Sequence, residues 1–96
     1  MFVYRKLKIG KKQVEAFQLK LFSRNLIVIK GSKGYIMCGY LDMDTAEKLG
    51  EVAVRISGVN TISQALKGNV ESCSKNAHRL GIYKGQPITE VIEIIG

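Results

Sequence analysis

Residues 30–41, KGSKGYIMCGYL, gather in twelve positions the side chains with the greatest chemical reach in the chain. Lys30, Lys33 and the backbone N–H groups around Ser32 and Gly34 could hold an anion, because successive amides in a glycine-rich turn make a concave nest for phosphates and similar groups. The segment is not a P-loop, since no Gly-Lys-Ser/Thr ending precedes a helix. Nor is it the GXXG loop of KH domains, which joins helices where this one joins apolar, strand-like runs. The competing reading is a hairpin turn, with two glycines flanking a polar tip. Cys38 is the candidate nucleophile. A catalytic thiol must be held as thiolate by a base, a cation or a helix N-terminus. Lys33 could be the cation and His78 the base, but nothing in the spacing brings either near, and Asp42 and Asp44 would oppose the charge. A small residue packed in a central strand is the simpler account of Cys38, as of Cys73. The residues singled out for a small anionic ligand are Lys33, Tyr35, Cys38, Tyr40 and Asp42.

Metal chemistry has little to work with. His78 is the one histidine, which excludes a multi-histidine site within one chain. Asp42 and Asp44 form an Asp-x-Asp pair that could meet magnesium, although helix capping explains at least one of them. No metal or cofactor is expected, and no enzyme class stands out.

Charge is unevenly placed. The net charge is +7, yet residues 1–34 carry nine basic side chains against Glu15 alone, while residues 35–96 carry six basic and seven acidic ones. Lys6, Lys8, Lys11 and Lys12 in the basic third could neutralise phosphates, with Tyr4 or Phe22 stacking on bases. The same lysines alternate with apolar residues, as on an exposed ribbon that resists unwanted edge pairing. A nucleic-acid-binding module is thus the second reading, and a small enzyme working through Cys38 the third.

These residues need elements to hold them. FVYRKLKI at 2–9 and QVEAFQLKLF at 13–22, separated by Gly10-Lys11-Lys12, predict a β-hairpin. In its second strand Phe17, Leu19 and Leu21 share one face by the period of two, and Val14, Ala16 and Phe22 the other. Phe2 and Tyr4 are assigned to this second face, so that Phe2, Tyr4, Val14, Ala16 and Phe22 form a surplus apolar surface suited to an oligomer interface. LIVIK at 26–30 predicts a strand buried on both sides, and a second hairpin runs to residue 41. Asp44 with Glu47 signals a helix start, expected to run to about residue 55, although Glu51 to Ile56 also alternate like a strand and Gly50 could end the helix early. Short helices are expected at 61–66 and at 75–80 with Ser74 as cap, and a last one after Pro87 with Ile88, Val91, Ile92 and Ile95 as its apolar stripe. Strands followed by helices predict an α+β fold, a largely antiparallel sheet packed on one side by C-terminal helices, in one domain over 1–96 with 1–23 as an oligomerisation hairpin. At 96 residues the chain has room for one core. No run approaches the ~20 apolar residues of a membrane span. Charges early in MFVYRKLKIGKK do not suit a secretory signal, so a cytoplasmic location is expected.

YIMCGYLDMDTAEKLG, preceded by LIVIKGSKG and followed by GVNTISQAL, NVESCSKNAHRLGI and KG-x-x-I-T-E, resembles the YunC-like family of small bacterial and archaeal domains over about residues 24–95. The resemblance implies an α/β domain whose N-terminal β region forms a tetramer, and it implies no particular activity.

Overall fold

The computed structural model describes residues 2–96. Six strands form one sheet in sequence order: β1 (Phe2–Ile9), β2 (Lys12–Lys20), β3 (Asn25–Lys30), β4 (Tyr35–Met37), β5 (Ala53–Arg55) and β6 (Ser72–Cys73). Every neighbouring pair is antiparallel except β4 with β5, whose parallel pairing requires a crossover. Helix α1 (Met43–Leu49) makes that crossover, and α2 (Ile62–Leu66), α3 (Lys75–Arg79) and α4 (Ile88–Ile95) follow β5. The expected α+β architecture is what the chain adopts.

The core lies on one face. Val14, Ala16, Ile27, Ile29, Ile36 and Val54 point from β2 to β5 into a cluster closed by Ile62 and Ala65 of α2, Ala77 of α3 and the stripe Ile88, Val91, Ile92 and Ile95 of α4. All four stripe residues of α4 are fully buried. At ~1.5–3 kcal/mol for each large side chain taken from water, this stripe outweighs the weak intrinsic stability of an eight-residue helix.

Three expectations give way. The helix expected to continue to residue 55 stops at Gly50, whose φ of 70° makes it a left-handed cap, and residues 53–55 are β5. Asp42, not Asp44, caps α1, and Glu47 turns away from the capping box to accept the Lys75 N–H at 3.1 Å. The helices also divide between the faces: Ala46 of α1 packs with Leu41, Ala53, Tyr35 and Met37 on the side opposite α2 and α4.

The faces of the first hairpin also differ from expectation. Gly10 and Lys11 make a two-residue turn, with φ 61° at Gly10, so Ile9 pairs with Lys12 and Phe2 with Leu19. In this register the even residues of β1 share a face with the odd residues of β2. Phe2 and Tyr4 therefore lie beside Phe17 and Leu19, whereas Val14 and Ala16 face the core at 2% and 0% exposure. Val14 and Ala16 are not surface residues. Phe22 lies beyond β2 in the 21–24 turn, closed by Leu21 N–H to the Arg24 carbonyl at 2.9 Å, and is 97% exposed.

Candidate functional site

The side of the sheet turned away from α2 and α4 is covered only in part. Alternation and strand register place Phe2, Tyr4, Phe17, Leu19, Leu26, Val28 and Met37 on it. Helix α1 shelters the β4–β5 end. Over β1 to β3 nothing lies on top, and Phe2 is 60%, Tyr4 41% and Leu19 38% exposed. Phe17 sits at the centre, its ring 6.2 Å from that of Phe2 and 5.2 Å from that of Tyr4. These are ordinary separations for tilted aromatic pairs. Further along the strands the same face turns polar, with Lys6, Glu15 and Lys30 in cross-strand register. The Tyr4 hydroxyl donates to Glu15 Oε2 at 2.6 Å, and this bond to a carboxylate raises the phenol's pKa above its ordinary value.

The glycine-rich loop does not present an anion nest. Gly31 N–H donates to the Gly34 carbonyl at 2.8 Å, and Lys33 N–H to the Ile95 carbonyl at 2.9 Å, while Ser32 Oγ donates to the Gly96 carbonyl at 3.0 Å. The loop is thus docked on the carbonyl end of α4, where the helix dipole is negative and disfavours an anion. Its glycines serve close approach: a Cβ on Gly31 would meet the Ile95 oxygen at 2.3 Å, and one on Gly34 the Val52 oxygen at 2.5 Å.

The five residues singled out for a ligand do not converge. Lys33 and Tyr35 border the loop together with Glu51 and Val52. Asp42 is occupied as a cap, accepting from Thr45 N–H at 3.3 Å and from the Thr45 hydroxyl at 2.9 Å. The Thr45 hydroxyl, more than its amide, holds the Asp42 carboxyl below its usual range. Cys38 and Tyr40 line a separate cleft of 290 Å³ with Arg24, Asn25, Ser57 and Val59. Arg24, which the sequence marks only as one of the nine basic residues of the first third, is the cation there. Cys38 is 4% exposed, and its sulfur accepts the Ile27 N–H at 3.4 Å. Neither Lys33 nor His78 lines this cleft. We expect alkylation of Cys38 by a small maleimide in the native protein to be far slower than in urea, as peptide mapping would show. Equal rates would mean that the thiol is accessible.

Tyr35 has a second signature. Its hydroxyl donates to Glu51 Oε1 at 2.8 Å, and burial, followed by this bond, pushes its pKa up to about 12. The neutral phenol is the favoured form in the fold, so the stability it contributes is complete below the unfolded value of 10.0 and is lost between there and about 12. Absorbance at a phenolate wavelength should show one late-titrating tyrosine that disappears in Tyr35→Phe. Retention of the late phase in that variant would reject the assignment.

The lysines of the nucleic-acid reading are dispersed. Lys6 and Lys8 lie on the partly covered face, Lys11 in the hairpin turn, and Lys12 packs its methylenes against Gly96 at the end of α4. Among the described residues no group of three or more histidine, cysteine or acidic side chains is placed to hold a metal, and no helix is long and apolar enough to cross a membrane.

The family model described as "Domain of unknown function (DUF1805)" matches residues 37–95, more than half of the chain. The chain belongs to the DUF1805, YunC-like family. The uncharacterized protein YunC of Bacillus subtilis (strain 168) is 37% identical over 81 residues, which are 80% of each chain. The crystal structure of TA1206, a protein of unknown function from Thermoplasma acidophilum, is 41% identical and superposes with a TM-score of 0.95 over 100% of this chain and 94% of its own. That superposition includes β1 to β3, all of which precede the matched family segment.

Proposed function

We propose that this DUF1805 domain is a homo-oligomeric module, a tetramer, assembled through the partly covered face of β1 to β3. The observation that carries the reading is the aromatic patch of Phe2, Tyr4 and Phe17 with Leu19, left on the outside of a chain that has already closed one core. Strands of this length, at ~3.3 Å per residue and ~4.8 Å apart, make a flat footprint roughly 20–25 Å long, suited to a second sheet stacked on it. A second copy fits better than an edge partner. Joining two β1 edges would set Arg5, Lys6 and Lys8 against their own kind, and like charges directly opposite are destabilising. A two-fold axis through the apolar end instead sends the lysine ends of the two copies in opposite directions, away from the overlap. Two such pairs make the tetramer. Sedimentation equilibrium at micromolar protein should report four protomers, and a stable lone protomer would end the proposal.

In the assembled state the ligand role belongs to the cleft of Cys38 and Tyr40, where Arg24 supplies the charge for a small anionic group. On this reading the ligand lies near the 31–42 segment and makes no use of the Gly31 and Lys33 amides, which already have partners.

A further inference from the structure

The most strongly basic concavity lies elsewhere, at the β6 edge of the sheet. A cleft of 720 Å³ there is lined by Cys73 of β6, Lys75, His78 and Arg79 of α3, and Tyr83 and Lys84 of the segment that follows. Residues 35–96 contain six lysines and arginines, and three of them meet here although the segment is net acidic. We propose that this cleft binds a small phosphate monoester, its dianionic head held by Lys75, Arg79 and Lys84 and its organic part resting against Tyr83.

Several features prepare the cleft for such a head group. The acidic residue in the lining, Glu71, is answered by Arg55, whose Nε lies 3.2 Å from its Oε1. Arg79 is braced by a bond from Nη1 to Asn76 Oδ1 at 2.8 Å, which fixes the guanidinium and leaves its other donors for a ligand. His78 Nδ1 lies 3.2 Å from the Ile82 carbonyl. A carbonyl can only accept, so Nδ1 carries the proton. A phosphate dianion has no hydroxyl to donate to Nε2, so His78 shapes the wall of the cleft and the charge is left to Lys75, Arg79 and Lys84. At the start of α3 the Lys75 N–H is taken by Glu47 and the Ala77 N–H by Ser74, so recognition rests on the side chains of the cleft. Cys73 is not a nucleophile in this arrangement. Its thiol donates to the Ile82 carbonyl at 3.7 Å, and burial, followed by the charge of Glu47, raises its pKa. It serves as the floor.

The charge and shape favour an ester of one phosphate. Lys75, Arg79 and Lys84 outnumber the carboxylates beside them, Glu71 paired with Arg55 and Glu47 bonded to the Lys75 N–H, and the surplus of charge matches a dianion better than a single carboxylate. The cleft is open, but its three cations are gathered at one place beside a single exposed phenol ring, Tyr83. This suits one phosphate with a planar substituent better than the repeating phosphates of a nucleic-acid strand, which call for cations spaced along a track. The site is on different residues from those of the proposed assembly, so the two readings stand or fall separately.

The test is a titration of the intact protein with phenyl phosphate, followed by amide NMR shifts, with phenol and a short single-stranded RNA as comparisons. Saturable shifts confined to residues 71–84, with phenol silent, are the expected result. Arg79→Gln and Lys84→Gln, both at exposed positions, should each weaken binding about tenfold, the cost of losing a charge-assisted hydrogen bond. Circular dichroism and sedimentation unchanged from the parent would show that the variants remain folded and assembled. No saturation at millimolar phenyl phosphate, shifts centred on Lys6 to Lys12, undiminished binding by both variants, or RNA binding without phenyl phosphate binding would each overturn the proposal.

Discussion

Phe17→Lys should abolish the tetramer by breaking its sheet-on-sheet pairs, with the protomer still folded. Phe17 is the centre of the aromatic patch, in contact with both Phe2 and Tyr4, and its ring would lie deepest in a stacked interface. The substitution removes a large apolar side chain, worth ~1.5–3 kcal/mol, and leaves an unpaired ammonium that must be desolvated for the copies to meet. A two-fold contact counts the loss twice. The combined effect should exceed about 4 kcal/mol, which weakens association by at least about a thousandfold. Sedimentation equilibrium gives the mass and circular dichroism checks the fold. An undiminished mass in Phe17→Lys would place the interface elsewhere. Val14→Lys supplies the contrast, because Val14 is 2% exposed and faces α4 within its own chain. That variant should unfold. Removing the whole hairpin is a poor test for the same reason, since it would strip Val14 and Ala16 from the core along with the outer face.

The second large effect is expected at Ser74. Its side chain is fully buried, and one hydroxyl makes three bonds: it accepts from Ala53 N–H at 3.0 Å and Ala77 N–H at 3.2 Å, and donates to the Glu51 carbonyl at 2.7 Å. The bond to Ala77 is an ordinary helix cap, worth about 0.5–2 kcal/mol. The bond to Ala53 satisfies a buried amide of β5, and leaving such a donor unpaired costs ~1–3 kcal/mol. Ser74→Ala should therefore destabilise the protomer by about 2–4 kcal/mol, lowering Tm by roughly 10–25 °C in a domain of this size. Urea denaturation, monitored by circular dichroism, measures the loss. A change of only a few tenths of a kcal/mol would show that water or a shifted backbone replaces the hydroxyl.

Ser74 also illustrates what the amino-acid order reveals and what it leaves open. Its place as a cap was legible, since capping depends on the three residues that follow. That the same oxygen ties β5 to the start of α3 was not, because Glu51 and Ala53 are more than twenty positions away. The second hairpin and the stripe of α4 were likewise legible. Gly31 and Gly34 were read as turn glycines, yet they are small because α4 and Val52 press against them. The ligand residues near Cys38 scattered for a related reason: neighbours along a strand and its flanking loops point to opposite sides, so closeness in order is not closeness in space. Arg24 and the cations at α3 were absent from that set because no local pattern marks them.

From its order of residues alone this chain determined most of its elements, its α+β class and its excess of apolar surface, since alternation, helical spacing, caps and turn residues act over a few positions; β5, expected as the end of a helix, is the exception. One clue to the faces was also local. The two-residue turn at Gly10-Lys11 fixes the pairing that places Phe2 and Tyr4 beside Phe17, and reading the turn as three residues long assigned them to the wrong side. The tertiary structure alone decided that α1 crosses to the second face, that the Lys33 amide and the Ser32 hydroxyl are tied to the end of α4, and that three cations of an acidic segment meet at the sheet edge. Each of these depends on which distant surfaces are brought into contact when the core closes, and backbone preferences carry no information about that.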